Sequence, residues 1–87
     1  MRLAQTSQFK KDIKRLQKRG KDLAKIKTVI DLLLAEIPLP PKNRDHQLGG
    51  NWSGRRDCHI EPDWILIYQP MDEEVLLERT GTHSDLF

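Results

Sequence analysis

At 87 residues, 37% hydrophobic and 32% charged, with mean hydropathy -0.66, the chain has material for one shallow core over residues 1–87 and none for a large internal cavity. Asp31 and Glu36 interrupt the most apolar stretch, which excludes a transmembrane helix, and Met1-Arg2-Leu3 leads into no signal-peptide core. The single cysteine, Cys58, excludes an internal disulfide and fits a reducing, cytoplasmic setting.

Arg2 to Gln5 has the length of a short opening strand, after which Thr6 or Ser7 offers a helix N-cap. Phe9, Ile13 and Leu16 then make one apolar stripe on a basic helix that Gly20 can stop. A second helix starts near Asp22 and turns Leu23, Ile26, Ile30, Leu33, Leu34 and Ile37 inward, ending before Pro38, Pro40 and Pro41. The short link between them predicts an antiparallel helix hairpin.

Net charge is only +2, but Lys10, Lys11, Lys14, Arg15, Lys18, Arg19, Lys21, Lys25 and Lys27 crowd these helices, opposed locally by Asp12 and Asp22 alone. Such a face is an electrostatic footprint for a polyanion, RNA or DNA first among them; a solvated helix surface is the plainer alternative. It lacks the strongly apolar, aromatic side of a membrane-lying helix.

After the prolines the period changes to two. Arg55 to Glu61, Trp64 to Gln69 and Val75 to Thr82 read as strands, with Asp45 to Leu48 as a further one before the Gly49-Gly50 turn. Short links predict an antiparallel meander, and the architecture is α+β: the helix pair covers one face of a small antiparallel sheet. Alternation puts Arg55, Asp57, His59 and Glu61 on one face and Arg56, Cys58 and Ile60 on the other. If the last strand stays regular, two neighbouring strands present His59, Asp57, Arg79 and His83 together.

All three histidines, His46, His59 and His83, lie in this half, beside Asp45, Asp57, Asp63, Arg56 and Arg79. Histidine exchanges protons near neutral pH, and arginine forks onto phosphate oxygens. Cys58 and His59 are adjacent on a strand and diverge, and no Cys-x-x-Cys or His-x-x-x-His spacing occurs, so no metal site and no cofactor is expected. Ser53 lacks a nucleophile-elbow sequence, and its glycine-rich loop lacks the Gly-Lys-Ser/Thr ending of a phosphate-binding loop. Metal-free RNA cleavage fits better: a base frees the 2′-hydroxyl to attack phosphorus, a cation steadies the phosphoryl oxygens, and an acid protonates the leaving 5′-oxygen. Trp52, Trp64 and Phe87 are candidates for stacking on bases, each with a core role as the alternative.

Asp45-His46-x-Leu48, Gly50-x-Trp52-x-Gly54, Arg56-Asp57-x-His59-x-Glu61-Pro62-Asp63-Trp64-Ile65-Leu66-Ile67-Tyr68 and Glu78-Arg79-Thr80-Gly81-Thr82-His83 together resemble the YafQ-type toxins of the RelE/ParE superfamily. The resemblance spans nearly the whole chain. It implies a RelE-like fold and a metal-independent endoribonuclease that cuts mRNA in the ribosomal decoding site. It also implies a cognate DinJ/RelB-type antitoxin, through which alone the toxin would meet operator DNA. The family's functional positions fall on His46, Asp57, His59, Asp63, Trp64, Arg79, His83 and Phe87; Arg56, a fixed charge beside the histidines, is a further candidate for substrate contact. In that frame His83 is the acid, Arg79 stabilises charge, and His46, His59 or Asp63 is the base. Trp64 and Phe87 orient nucleotides, while Lys10, Lys11, Lys14 and Lys18 contact ribosomal RNA. Two alternatives remain: a non-catalytic inhibitor that binds RNA or the ribosome, and a gyrase-directed toxin of the same superfamily, which needs no RNA-cleaving histidines.

Overall fold

The computed structural model describes residues 1–87. Strand β1 (Arg2–Gln5) leads into helices α1 (Ser7–Lys18) and α2 (Leu23–Leu34); β2 (His46–Gln47), β3 (Arg56–Glu61), β4 (Trp64–Pro70) and β5 (Glu74–Gly81) follow, then a single helical turn, α3 (His83–Leu86). The sheet has five strands in the order β1-β5-β4-β3-β2. No helix is long and apolar enough to cross a membrane.

Helix α1 starts where expected, with the Thr6 hydroxyl accepting the Phe9 N–H. It ends in a Schellman turn at Gly20 (φ 82°), where the N–H groups of Gly20 and Lys21 bond the carbonyls of Gln17 and Leu16. Helix α2 is capped by Asp22 but stops earlier than the prolines require. Glu36 takes the left-handed conformation (φ 58°), and the Glu36 and Ile37 N–H groups bond Leu33 and Leu32. Ile37 is therefore exposed rather than inward-facing.

The two helices cover one face of the sheet. Phe9, Leu16, Ile26 and Val29 pack on Cys58, Trp64, Leu66, Tyr68, Val75 and Leu77, all buried. The opposite face carries only a small cluster, Ile65, Ile67 and Leu86 with Leu48 and Trp52 against it. The meander β2-β3-β4-β5 is antiparallel, as its short turns dictate, but β1 pairs with β5 in parallel, so the sheet is mixed rather than antiparallel throughout. A parallel partner needs a long crossover, and everything from α1 to β4 supplies it.

Two register shifts decide which side chains share a face. Val75 and Leu77 point toward the helices, so strict alternation would bury Arg79 with them. Instead Tyr68 pairs with Leu77 and Ile67 with Arg79, which leaves Glu78 as the extra residue and turns Arg79 to the open face. The second shift, between His59 and Glu61, carries Glu61 away from its expected companions; its carboxylate meets Lys21 and Lys25 at 2.9 and 2.7 Å.

Candidate active site

Two cross-strand rows build the open face. Asp57 on β3 lies opposite His46 on β2 and Ile67 on β4, Ile67 lies opposite Arg79 on β5, and His59 lies opposite Ile65. The expected convergence thus occurs across three strands, because β4 separates the strand of His59 from that of Arg79. His83 reaches the face by another route: β5 ends at Gly81, and Thr82 caps α3 through a capping box with Asp85. Arg19, the C-cap residue of α1, grips the Asp85 carboxylate at 2.7 Å, which ties this last turn to the helical layer.

Each imidazole is anchored through Nδ1. His46 Nδ1 hydrogen-bonds the Arg44 carbonyl at 2.7 Å, His59 Nδ1 the Pro62 carbonyl at 3.2 Å, and His83 Nδ1 the Asp63 carboxylate at 2.7 Å. Carbonyl and carboxylate oxygens only accept, so in each ring Nδ1 carries the hydrogen and Nε2 is left to exchange protons. Arg44 adopts a left-handed conformation (φ 48°) at the turn that presents its carbonyl, a geometry that costs a non-glycine residue about 1–2 kcal/mol. Asn43 is buried and bonds the His59 carbonyl at 2.7 Å, fixing this turn to β3. The His59 and His83 rings are 5.7 Å apart, and His83, Phe87 and Trp52 continue the row at 6.4 Å per step.

Asp57 lies beneath this group. Burial pushes its carboxyl above the usual value, and the charges of His46, His59 and His83 pull it partly back. Its Oδ1 is 3.0 Å from His46 Nδ1 yet buried without a hydrogen bond of its own, because that ring donates to Arg44. Asp63 is exposed and is held below the usual carboxylate value by hydrogen bonds from the His83 backbone N–H and ring. The site therefore combines three proton-exchanging rings with an arginine whose partners leave Nη1 free. No group of three or more His, Cys, Asp or Glu side chains is arranged to hold a metal ion.

Two expected substrate contacts are elsewhere. Trp64 is fully buried on the helix face, its indole N–H donated to the Thr80 hydroxyl at 2.9 Å, so it supports the sheet and cannot stack on a base. Arg56 lies opposite Tyr68 on that same face and pairs with Asp45 at 3.3 Å, turned away from the histidines. Phe87, in contrast, is 60% exposed beside His83. Of the basic residues on the helices, Arg15, Arg19, Lys21, Lys25 and Lys27 are all paired with acids, while Lys10, Lys11, Lys14 and Lys18 are exposed and unpaired on α1. One residue was not anticipated: Asp12, completely buried, bonds Arg79. An acid on the Phe9-Ile13-Leu16 stripe was its signal.

A family model described as a bacterial toxin of type II toxin–antitoxin systems, YafQ, matches residues 1–87. The chain belongs to the YafQ toxin family. It is 51% identical over 83 residues to the mRNA interferase toxin YafQ of Escherichia coli K12, covering 94% of this chain and 90% of that one. The crystal structure of YafQ from E. coli BL21(DE3) superposes with a TM-score of 0.95 at 47% identity, over 100% of this chain and 99% of that one. YafQ in the E. coli DinJ–YafQ complex gives 0.93 at 48% identity with the same coverage.

Proposed function

We propose that this chain is the toxin of a type II toxin–antitoxin pair, a ribosome-dependent, metal-independent endoribonuclease that cleaves mRNA in the cytoplasm and is neutralised by a DinJ-type antitoxin. The observation that carries the reading is the set of Nδ1-anchored histidines, His46, His59 and His83, around buried Asp57 on the sheet face that also carries Arg79. The relatives named mRNA interferase, and the DinJ–YafQ complex, support it.

In the mechanism, His46 Nε2 takes the proton of the ribose 2′-hydroxyl. The 2′-oxygen forms a bond to phosphorus as the bond to the 5′-oxygen breaks, and His83 Nε2 delivers a proton to that leaving oxygen. The products are a 2′,3′-cyclic phosphate and a 5′-hydroxyl. Asp63 acts as the charge partner that orients the His83 imidazolium, which removes it from the candidates for base. His46 is preferred over His59 as base because His59 adjoins the acid, His83, whereas acid and base must flank the phosphate. Arg79 meets the charge on the phosphoryl oxygens, Asp57 sets the charge field of the rings, and Phe87 stacks on a base. The unpaired stripe Lys10, Lys11, Lys14 and Lys18 docks on ribosomal RNA.

The test is in vitro translation of a defined message with primer extension along the mRNA, wild type beside His83→Gln. In-frame cuts that need ribosomes and disappear in the variant are expected, with cyclic-phosphate ends. Blocked translation of an intact message overturns the enzymatic reading in favour of a binding inhibitor.

A further inference from the structure

We propose that Asp12 is a positioning residue for Arg79, holding one edge of its guanidinium so that the other edge faces the scissile phosphate. The inference rests on the role given to Arg79 above and deepens it.

Strand β1 covers the edge of β5 only as far as Leu77, and beyond it α1 runs alongside. There the Asp12 carboxylate, 0% exposed, does what a strand would otherwise do: Oδ2 accepts the Thr80 N–H at 3.1 Å. The same Oδ2 accepts Arg79 Nε at 2.8 Å, and Oδ1 accepts Arg79 Nη2 at 3.2 Å. Gln8 and Arg15 complete the shell at 3.1 and 3.0 Å. Burial alone would raise the Asp12 carboxyl; the hydrogen bonds from Arg79, Gln8 and Thr80 outweigh it and keep the group ionised.

This side-on grip uses one edge of the guanidinium. Five N–H donors are fixed in one plane, so occupation of Nε and one Nη2 hydrogen leaves both Nη1 hydrogens and the second Nη2 hydrogen as a fork for phosphate. A free arginine samples many rotamers, whereas this one is held by two hydrogen bonds to a carboxylate that is itself locked to the backbone of the next residue. A buried carboxylate that only stabilised the fold would have no need of a partly exposed arginine from the site face; Thr80, Gln8 and Arg15 already supply three donors.

The test compares Asp12→Asn, Asp12→Glu, Arg79→Ala and the Asp12→Asn/Arg79→Ala double variant on mRNA-programmed ribosomes. Displacing a reacting group by about 1 Å costs on the order of 100-fold, so Asp12→Asn is expected to lower kcat on that scale with KM nearly unchanged. The double variant is expected to be no slower than Arg79→Ala. Guanidinium ion should restore cleavage to Arg79→Gly when Asp12 is present and fail to do so when Asp12→Asn is added. Independent, multiplying losses in the double variant overturn the inference, as does rescue that ignores Asp12. Full activity of Arg79→Ala instead removes the role of Arg79 itself, while loss in Arg79→Ala with an unaffected Asp12→Asn removes only the positioning role. Should the Asp12 variants not fold, the Nε–H resonance of Arg79 in the labelled wild-type protein decides: a shifted signal that exchanges slowly with water is expected, and a free, fast-exchanging one overturns the grip.

Discussion

Cys58, Leu66 and Thr80 form one cross-strand row and Asp57, Ile67 and Arg79 the next, on the same three strands but on opposite faces. The first row is completely buried beneath α1 and α2; in the second, Ile67 lies between two charged residues under only the small cluster of Leu86, Leu48 and Trp52, with Asp57 buried and Arg79 partly exposed. Neighbouring residues of one strand therefore serve different ends. The helix-covered face holds the sheet together, and the open face can carry charges with unmet hydrogen-bonding capacity, such as Asp57 Oδ1, because the other face does not depend on them.

The sharpest way to break this division is to strike one face and read the other. His83→Gln is expected to lower cleavage by a factor of about 10²–10⁴, the range of general acid catalysis, with an unchanged melting temperature because the ring is more than half exposed. A large drop in Tm would mean that the faces are not independent. Trp64→Ala should do the opposite, costing about 3–5 kcal/mol of stability in a denaturant titration. Activity per folded molecule should persist, and its loss would return Trp64 to the substrate.

Asp57→Asn tests the cost borne by the open face. A carboxyl whose folded pKa lies above its unfolded value contributes stability that is present below the unfolded value, 3.8, and lost as pH rises through the folded one. At neutral pH the ionised group thus costs stability, and Asp57→Asn should raise Tm by a few degrees while slowing cleavage, on a scale of about 4–8 °C per kcal/mol. The gain should shrink as pH falls toward 4; a gain independent of pH would refute the electrostatic cause. Asp12 and Asp85 have the opposite sign: both are held below the usual value of 3.8, so their contribution is present above it and fades as pH falls. The smallest effect concerns α1. Charge reversal at Lys10, Lys11, Lys14 and Lys18 should flatten the salt dependence of ribosome binding, by about 0.7–0.9 in log–log slope for each phosphate no longer neutralised. An unaltered slope would take the ribosome away from this stripe.

Much of this was legible in the sequence because it follows from local rules. The Thr6 and Asp22 caps, the stop at Gly20 and the alternation that separates Asp57 and His59 from Cys58 depend on a few neighbouring residues each. What alternation could not supply were the two register shifts: Arg79 reaches the open face only because Glu78 is extra, and Glu61 leaves it by the second shift. The parallel pairing of β1 escaped because nothing in four residues specifies a partner. Arg56 has the charge and Trp64 the ring that a nucleotide contact asks for, but the strand pattern puts both on the helix-facing side, Trp64 in the core and Arg56 opposite Tyr68. Asp12 was visible as an acid in an apolar stripe, but its meaning depended on a residue far along the chain.

That pairing of β1 with β5 also sets an order of events. Leu3 finds Val75, and Asp12 finds Arg79, only across most of the chain, so these contacts form after β5 has been synthesised and has cleared the exit tunnel. A chain cut before β5 should therefore leave β1 without a partner strand and Asp12 without Arg79.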